Sequence, residues 1–440
     1  MENQAGDTRH RQARLSLDPE SDILEAALMD NPFLAFIFWL ISTFALVAAP
    51  PAALAQQSAG APKAQDARKQ LYKTAYRVID VHTHFFWPDE EMMKLGLEAM
   101  AREGVAAAVN LDGGRTDGTL PAWIKLQKKF PSRTAIFAKF TKKDFARVQE
   151  PGFFDDLVRE LEGAAKMGIQ GIKIWKDLGM LIEDGPGKRL RIDDPRLDPF
   201  WSKCGELRLP IFIHTADPKE YWYPLTPNSL HYGFRTEKDQ YYKIPGMPPW
   251  EELIEERDHV VKKHPKTTFI GAHFASMTFD LAGLAERLDR YPNLYAECGA
   301  RLRILGRLNP QAVRDFFVKY QDRILFGTDV FVILDGRRKS GSASKNILVY
   351  GADDADIIRG SPRDPEAVRR WKEWLAVLLS RYFEYFETDH PNLVEPGGFG
   401  SNWLKLTGVK LPSKVLDKFY HANAERLIPG LAIRKAASRH

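Results

Sequence analysis

Residues 77–84 read RVIDVHTH, an apolar β-branched run that ends in two histidines. Side chains two apart in a strand project to one face, so His82 and His84 point the same way. The construction repeats. Short β-branched runs follow at 105–110, 134–140, 169–175, 210–215, 267–273, 293–298 and 323–329, with amphipathic segments such as 89–102, 153–167, 250–263, 278–290 and 310–320 between them. In 153–167 (FFDDLVRELEGAAKM) the apolar residues recur at three- and four-residue spacing, as in a helix that covers a sheet. Strands alternating with helices indicate parallel βα units, and eight of them indicate a (β/α)8 TIM-type barrel. A doubly wound sheet is the alternative, because periodicity alone does not show closure.

The ends of the runs carry the chemistry. Run five ends IFIH at His214, run six ends IGAH at His273, and run eight ends FGTD at Asp329. Two histidines in HxH could be no more than exposed loop residues. Three further titratable side chains of metal-ligand type at strand ends make a metal site the better reading, since a barrel opens its active site there. Long connections also leave these ends, at 176–194, 216–249 and 330–363, after strands 4, 5 and 8. The second is dense in aromatics and reads equally as a lid with its own core or as a pocket lining. Segments 365–387 and 412–427 read as packing helices.

Taken in order, DVHTH (80–84), GIKIW (171–175), IHTADP (213–218), FIGAH (269–273), ILFGTD (324–329) and NAERL (423–427) resemble the amidohydrolase superfamily, in particular its amidohydrolase-related (family 2) branch. That branch includes enzymes similar to aminocarboxymuconate-semialdehyde decarboxylase, together with lactonases, hydratases and hydrolases. The resemblance implies that His82, His84, His214 and Asp329 hold one divalent ion, with zinc favoured. It implies that His273 stands beside the ion to polarise the substrate or carry a proton. Three neutral imidazoles and a carboxylate would leave a place for water, from which Asp329 could accept a proton.

Lys173 keeps three readings open: a free amine that meets a substrate carboxylate, a carbamate bridging two ions, or an amine paired with Asp80 or another barrel acid. Asp80 reads as a supporting acid rather than a ligand. Arg301, and Arg303 beside it, could fork onto a substrate carboxylate or pack on a loop acid. Trp175 shares the inward parity of Lys173, and Phe86 and Trp87 would wall the pocket. His231, His259, His264 and His421 read as solvated. Cys204 and Cys298 are too few for a disulfide framework and read as core thiols.

The chain has 440 residues and a formal charge of +5 without a basic block, which argues against a nucleic-acid partner and for a small-molecule substrate. Oligomeric state, a homo-oligomer included, is left open. Residues 33–47 (FLAFIFWLISTFALV) precede Ala53-Leu54-Ala55, an A-x-A pattern, so 1–55 reads as a region with a cleaved signal peptide, 56–75 as a linker and 76–430 as the barrel. The expected location is periplasmic or secreted. The acidic residues ahead of the apolar run point instead to a later start at Met29 or to an uncleaved anchor. The expected activity is hydrolysis of an amide, ester or lactone by a metal-activated water. Nonoxidative decarboxylation of an aromatic or unsaturated acid is the alternative, and a non-catalytic exported binding protein a third.

Overall fold

The computed structural model describes residues 71–226, 229, 240–334, 347–348, 365–394 and 405–431. The N-terminal apolar run, most of the 56–75 linker, His231 and much of the second and third long connections lie outside the described residues. Among the described residues no helix is long and apolar enough to cross a membrane.

The strands are β1 (Val78–Phe85), β2 (Val105–Asn110), β3 (Thr134–Phe140), β4 (Gly171–Ile174), β5 (Ile211–Ile213), β6 (Phe269–Gly271), β7 (Leu294–Glu297), β8 (Ile324–Leu325) and β9 (Val330–Leu334). Neighbours from β1 through β8 pair in parallel, in sequence order. The eighth run then closes the ring. Val81 N donates to Phe326 O at 3.0 Å, Asp329 N donates to His82 O at 2.8 Å, and β9 pairs in parallel with β1 from Thr83 to Phe85. Closure removes both sheet edges and excludes the doubly wound alternative. The fold is a (β/α)8 TIM-type barrel.

Covering helices follow the strands: α1 (Glu90–Arg102), α2 (Leu120–Gln127), α3 (Phe153–Met167), α4 (Asp198–Glu206), α5 (Trp250–Lys263), α6 (Leu281–Arg290), α7 (Pro310–Lys319) and α8 (Pro365–Glu387). Helix α1 starts where the Asp89 carboxylate accepts from Met92 N at 2.9 Å, satisfying an otherwise orphaned amide, and it buries Met92, Met93, Leu97 and Met100. Inside the barrel Ile79, Val81, Val109, Phe137, Phe212, Ile270 and Leu325 form one apolar cluster with Ala424, Ile428 and Leu431 of the C-terminal segment. Asn423 fixes that segment by donating to Ile324 O and Gln321 O. The interior is thus filled, and the site is confined to the opposite mouth.

Several boundaries differ from the sequence reading. The first strand runs on to Phe85, because its far half finds β9 as a partner. The first five residues of the connection expected from Val330 are therefore strand, Val330–Leu334. Strand β6 stops at Gly271, two residues before His273. His264, expected in solvent, is buried, its ring held between Asp198 and Ser202. His259 is exposed and bonds Asp193.

Candidate metal centre

His82 and His84 leave β1 side by side, both buried, with ring centroids 5.2 Å apart. Each has a carboxylate on Nδ1. Glu297 Oε1 lies 2.8 Å from His82, and Asp112 Oδ2 lies 2.5 Å from His84. A carboxylate accepts, so Nδ1 carries the hydrogen and each Nε2 keeps its lone pair for the site. Both Nε2 atoms stand 3.1 Å from one oxygen of Asp329. Asp329 adopts φ 65°, left-handed for a non-glycine residue, with its amide tied to His82 O. The turn aims its carboxylate back over the β1 histidines.

His273 arrives by a different device. Residues 273–276 (His, Phe, Ala, Ser) have φ of 57°, 56°, 48° and 63°, a full left-handed turn without a glycine. Left-handed helix costs L-residues roughly 1–2 kcal/mol each, so such a turn persists only where its surroundings over-determine it. Here they do. His273 N donates to Glu297 Oε1 at 2.7 Å, and Nδ1 lies 2.7 Å from Gly299 O. Thr278 Oγ1 donates to His273 O at 3.0 Å, and Ser276 Oγ donates to Thr215 O. His214 follows β5, its ring centroid 4.6 Å from that of His273.

Glu297 organises this corner. Fully buried, it accepts from His82, from the His273 amide and, at 2.5 Å, from Gly299 N. A Cβ on Gly299 would fall 2.8 Å from Glu297 Oε2, and one on Gly327 2.4 Å from it. Two glycines thus make the cradle in which the carboxylate fits.

The electrostatics favour positive charge at the centre. Burial alone would lower the His82 pKa, yet Asp329 and Glu297 raise it to about 9. Burial raises the Asp329 carboxyl, but His82 and His84 outweigh it and hold the group well below the usual carboxylate range. His214 and His273 are pushed well below 6.5, chiefly by burial and then by neighbouring cations, so both are neutral at pH 7. Ligand atoms of His82, His273 and Asp329 lie within 4.8 Å of one another. The buried Nε2 of His84 and both ring nitrogens of His214 have no hydrogen-bond partner. Imidazole nitrogens without a hydrogen-bond partner around an ionised carboxylate suit a divalent ion of the zinc or manganese type.

The other anticipated residues take clear places. Lys173, on β4, is fully buried with no hydrogen-bond partner for Nζ, 4.6 Å from the centre of the Phe212 ring. The pairing with Asp80, one of its three readings, does not occur: Asp80 accepts instead from His82 N, Thr328 N and Thr328 Oγ1. Trp175 lies edge-on to His84 and His214, with Lys139 4.7 Å and Lys173 5.5 Å from its ring centre. Arg301 is buried and its Nη1 donates to Ala300 O; burial lowers its pKa while Asp329 and Glu297 counter. Phe86 stacks on His84 and Phe331. Trp87 is half-buried just beyond. Sequence reasoning passed over Glu297, Asp112, Lys139 and Asp217. Asp217 binds Lys176 and the Tyr241 hydroxyl, with one oxygen 3.8 Å from His214 Nε2. The one available signal was that Glu297 lies near the end of run seven, as His214, His273 and Asp329 lie at or near the ends of runs five, six and eight.

Solved structures similar to the chain differ in reaction. A 4-oxalomesaconate hydratase from Rhodopseudomonas palustris aligns at 14% identity over 80% of this chain and 96% of its own, TM-score 0.42. A dihydroxybenzoic acid decarboxylase from Polaromonas sp. JS666, with bound manganese and 2-nitroresorcinol, aligns at 16% over 57% and 86%, TM-score 0.37. A probable 2-pyrone-4,6-dicarboxylic acid hydrolase from Acinetobacter baumannii, with bound citric acid, aligns at 11% over 58% and 84%, TM-score 0.34. No curated protein matches the chain in sequence. The Amidohydro_2 family model, described as amidohydrolase, matches residues 79–360, well over half the chain and every strand end described above, and the chain therefore belongs to the amidohydrolase family.

Proposed function

We propose that the protein is a metal-dependent hydrolase that opens an amide, ester or lactone bond of a small organic substrate. The observation that carries the reading is the position of Asp329: ionised, half-buried, and 3.1 Å from the Nε2 atoms of two buried histidines. A divalent ion, zinc in the first place, held by His82, His84, His214 and Asp329 would supply Lewis acidity to water and to the substrate carbonyl. Asp329 would accept the proton that the attacking water loses, since its depressed pKa keeps it an acceptor throughout the neutral range. His273, neutral and anchored through Nδ1–H to Gly299 O, leaves the lone pair of Nε2 toward the site, where it would take the proton collected by Asp329 and pass it to the leaving group. Trp175 would offer a flat wall, and Arg301 a cation for an acidic substituent.

One feature favours a second reading. Lys173 is a buried amine without a hydrogen-bonded acid, and a substrate carboxylate beside it would favour its charged form, which suits the acid that a nonoxidative decarboxylase must hold. The test incubates the metal-loaded enzyme with lactones, amides, esters and aromatic acids in ¹⁸O-labelled water. Label in a new carboxylate or alcohol is the expected result. Carbon dioxide released with no label in the organic product would overturn hydrolysis in favour of decarboxylation.

A further inference from the structure

The left-handed turn 273–276 is held from outside the site as well as from within it. Arg257, on α5, is fully buried, and its Nη1 donates to Ala275 O at 2.5 Å. Its Nε and Nη2 both donate to Asp258 Oδ1, at 3.0 and 2.7 Å. The second oxygen of Asp258 accepts from Arg287 Nε on α6 at 2.6 Å, and Arg287 also donates to Gly283 O. A chain of charge-assisted bonds therefore runs from α6 through α5 to one carbonyl of the turn. On the opposite side the turn folds back against its own strand. A Cβ on Gly271 would stand 2.5 Å from Ala275 Cβ, so Ala275 is pressed onto β6 from one direction and gripped by Arg257 from the other.

We infer that Arg257 is a positioning residue for His273. A left-handed turn of four non-glycine residues is intrinsically unfavourable, and each released restraint lets φ return to negative values. The bonds from Glu297 and Gly299 fix the His273 end, while the Ala275 end is held by Arg257 and by the Ser276 hydroxyl on Thr215 O. Were the Ala275 carbonyl freed, the turn would unwind from that end and carry the imidazole away from His82 and Asp329. Arg257 touches none of the residues at the centre, so its influence on them passes through backbone conformation alone. The inference holds for either reaction, and its failure would leave the proposed hydrolysis untouched.

The test reads His273 directly. Diethyl pyrocarbonate modifies accessible neutral imidazoles, and peptide mass spectrometry assigns each one. In the wild type His273 and His264 are both buried and should both be protected. Arg257→Met should raise modification of His273 by about tenfold through local opening while His264, outside the turn, stays protected. Adding Ala275→Gly, which tolerates positive φ without strain, should bring His273 back to within about threefold of the wild-type rate. Unchanged protection of His273 in folded Arg257→Met overturns the inference. So does a parallel rise at His264, which would mark general destabilisation. Should Arg257→Met fail to fold, Arg257→Lys decides: it keeps the charge beside Asp258 but not the fork, and a selective rise at His273 is again required.

Discussion

The two sides of the mouth are built on opposite principles. On the side of β1, β7 and β8 each functional group is already answered by another: His82 by Glu297, His84 by Asp112, Asp80 by Thr328, Asp329 by His82. On the side of β4 and β5, Lys173 Nζ and both nitrogens of His214 are buried with no hydrogen-bond partner. A buried polar group left alone costs about 1–3 kcal/mol, so the fold tolerates on one side what it avoids on the other. The first side is largely hydrogen-bonded on folding and leaves open only the Nε2 atoms aimed at Asp329. The second leaves whole side chains open, and under the proposed function the partner of His214 is the metal ion and that of Lys173 the substrate.

Removing one histidine from each side should expose the difference most strongly. His82→Ala and His214→Ala are each expected to lose most bound metal, measured by elemental analysis after dialysis. Their stabilities should diverge. His82→Ala leaves the buried Glu297 carboxylate without its Nδ1–H donor, a loss on the order of 1–3 kcal/mol in urea unfolding. His214→Ala strands no charge and should cost far less. Equal losses would mean that the two sides are not energetically distinct. Asp329→Asn keeps the shape of the side chain and removes its basicity, so turnover should fall by roughly 10²–10⁴. Full turnover in Asp329→Asn after chelation would end the metalloenzyme reading.

A smaller effect tests how the scaffold supports the ion. Glu297→Gln keeps the volume but halves the accepting capacity of the glycine cradle, and it reverses the proton preference at His82 Nδ1. Metal affinity should drop about 10–100-fold, the usual consequence of losing a carboxylate behind a ligating imidazole. Competition titration with a chromophoric chelator measures it. An unchanged affinity would assign Glu297 to the His273 backbone alone.

The same asymmetry explains what could be read in advance. The barrel was legible because each strand is a β-branched run and each covering helix keeps one apolar stripe; the interior cluster of Val81, Phe137, Phe212 and Ile270 is those runs seen end-on. The strand-end residues were legible because their place, one step beyond an apolar run, depends only on local sequence. Their supports were not. Glu297 lies 215 residues from His82, and Asp112 lies 28 from His84 across a strand pairing. Such partners are fixed by register, which the β1 irregularity between Asp80 and Thr83 shifts without a local signal. The left-handed turn was hidden for a related reason. His-Phe-Ala-Ser contains no residue that asks for positive φ; packing against Gly271 and the bonds from Glu297, Ser276 and Arg257 impose it.

Lys173 gives the finest test of the unanswered side. Burial lowers its pKa to about 7, Asp329 opposing the shift and Lys139 adding to it. An unfolded lysine titrates near ~10.4, so between about pH 7 and pH 10 the unfolded chain carries a proton at this position that the folded chain lacks. Stability then rises with pH across that window, and the penalty for a buried ammonium is fully present below it. Lys173→Met removes the group and with it the penalty. Measured in chelator, so that no ion competes, the variant should be more stable than the wild type at pH 6 by on the order of 1–3 kcal/mol. The advantage should shrink from about pH 7 upward and vanish only above about pH 11, where the wild-type amine is neutral in both states. A constant difference at all pH values would mean that packing against Phe212 and Trp175, rather than charge, decides the energetics. A wild type more stable than Lys173→Met at pH 6 would show that the ammonium finds a partner in solution, and the contrast between the two sides of the mouth would fail at its central residue.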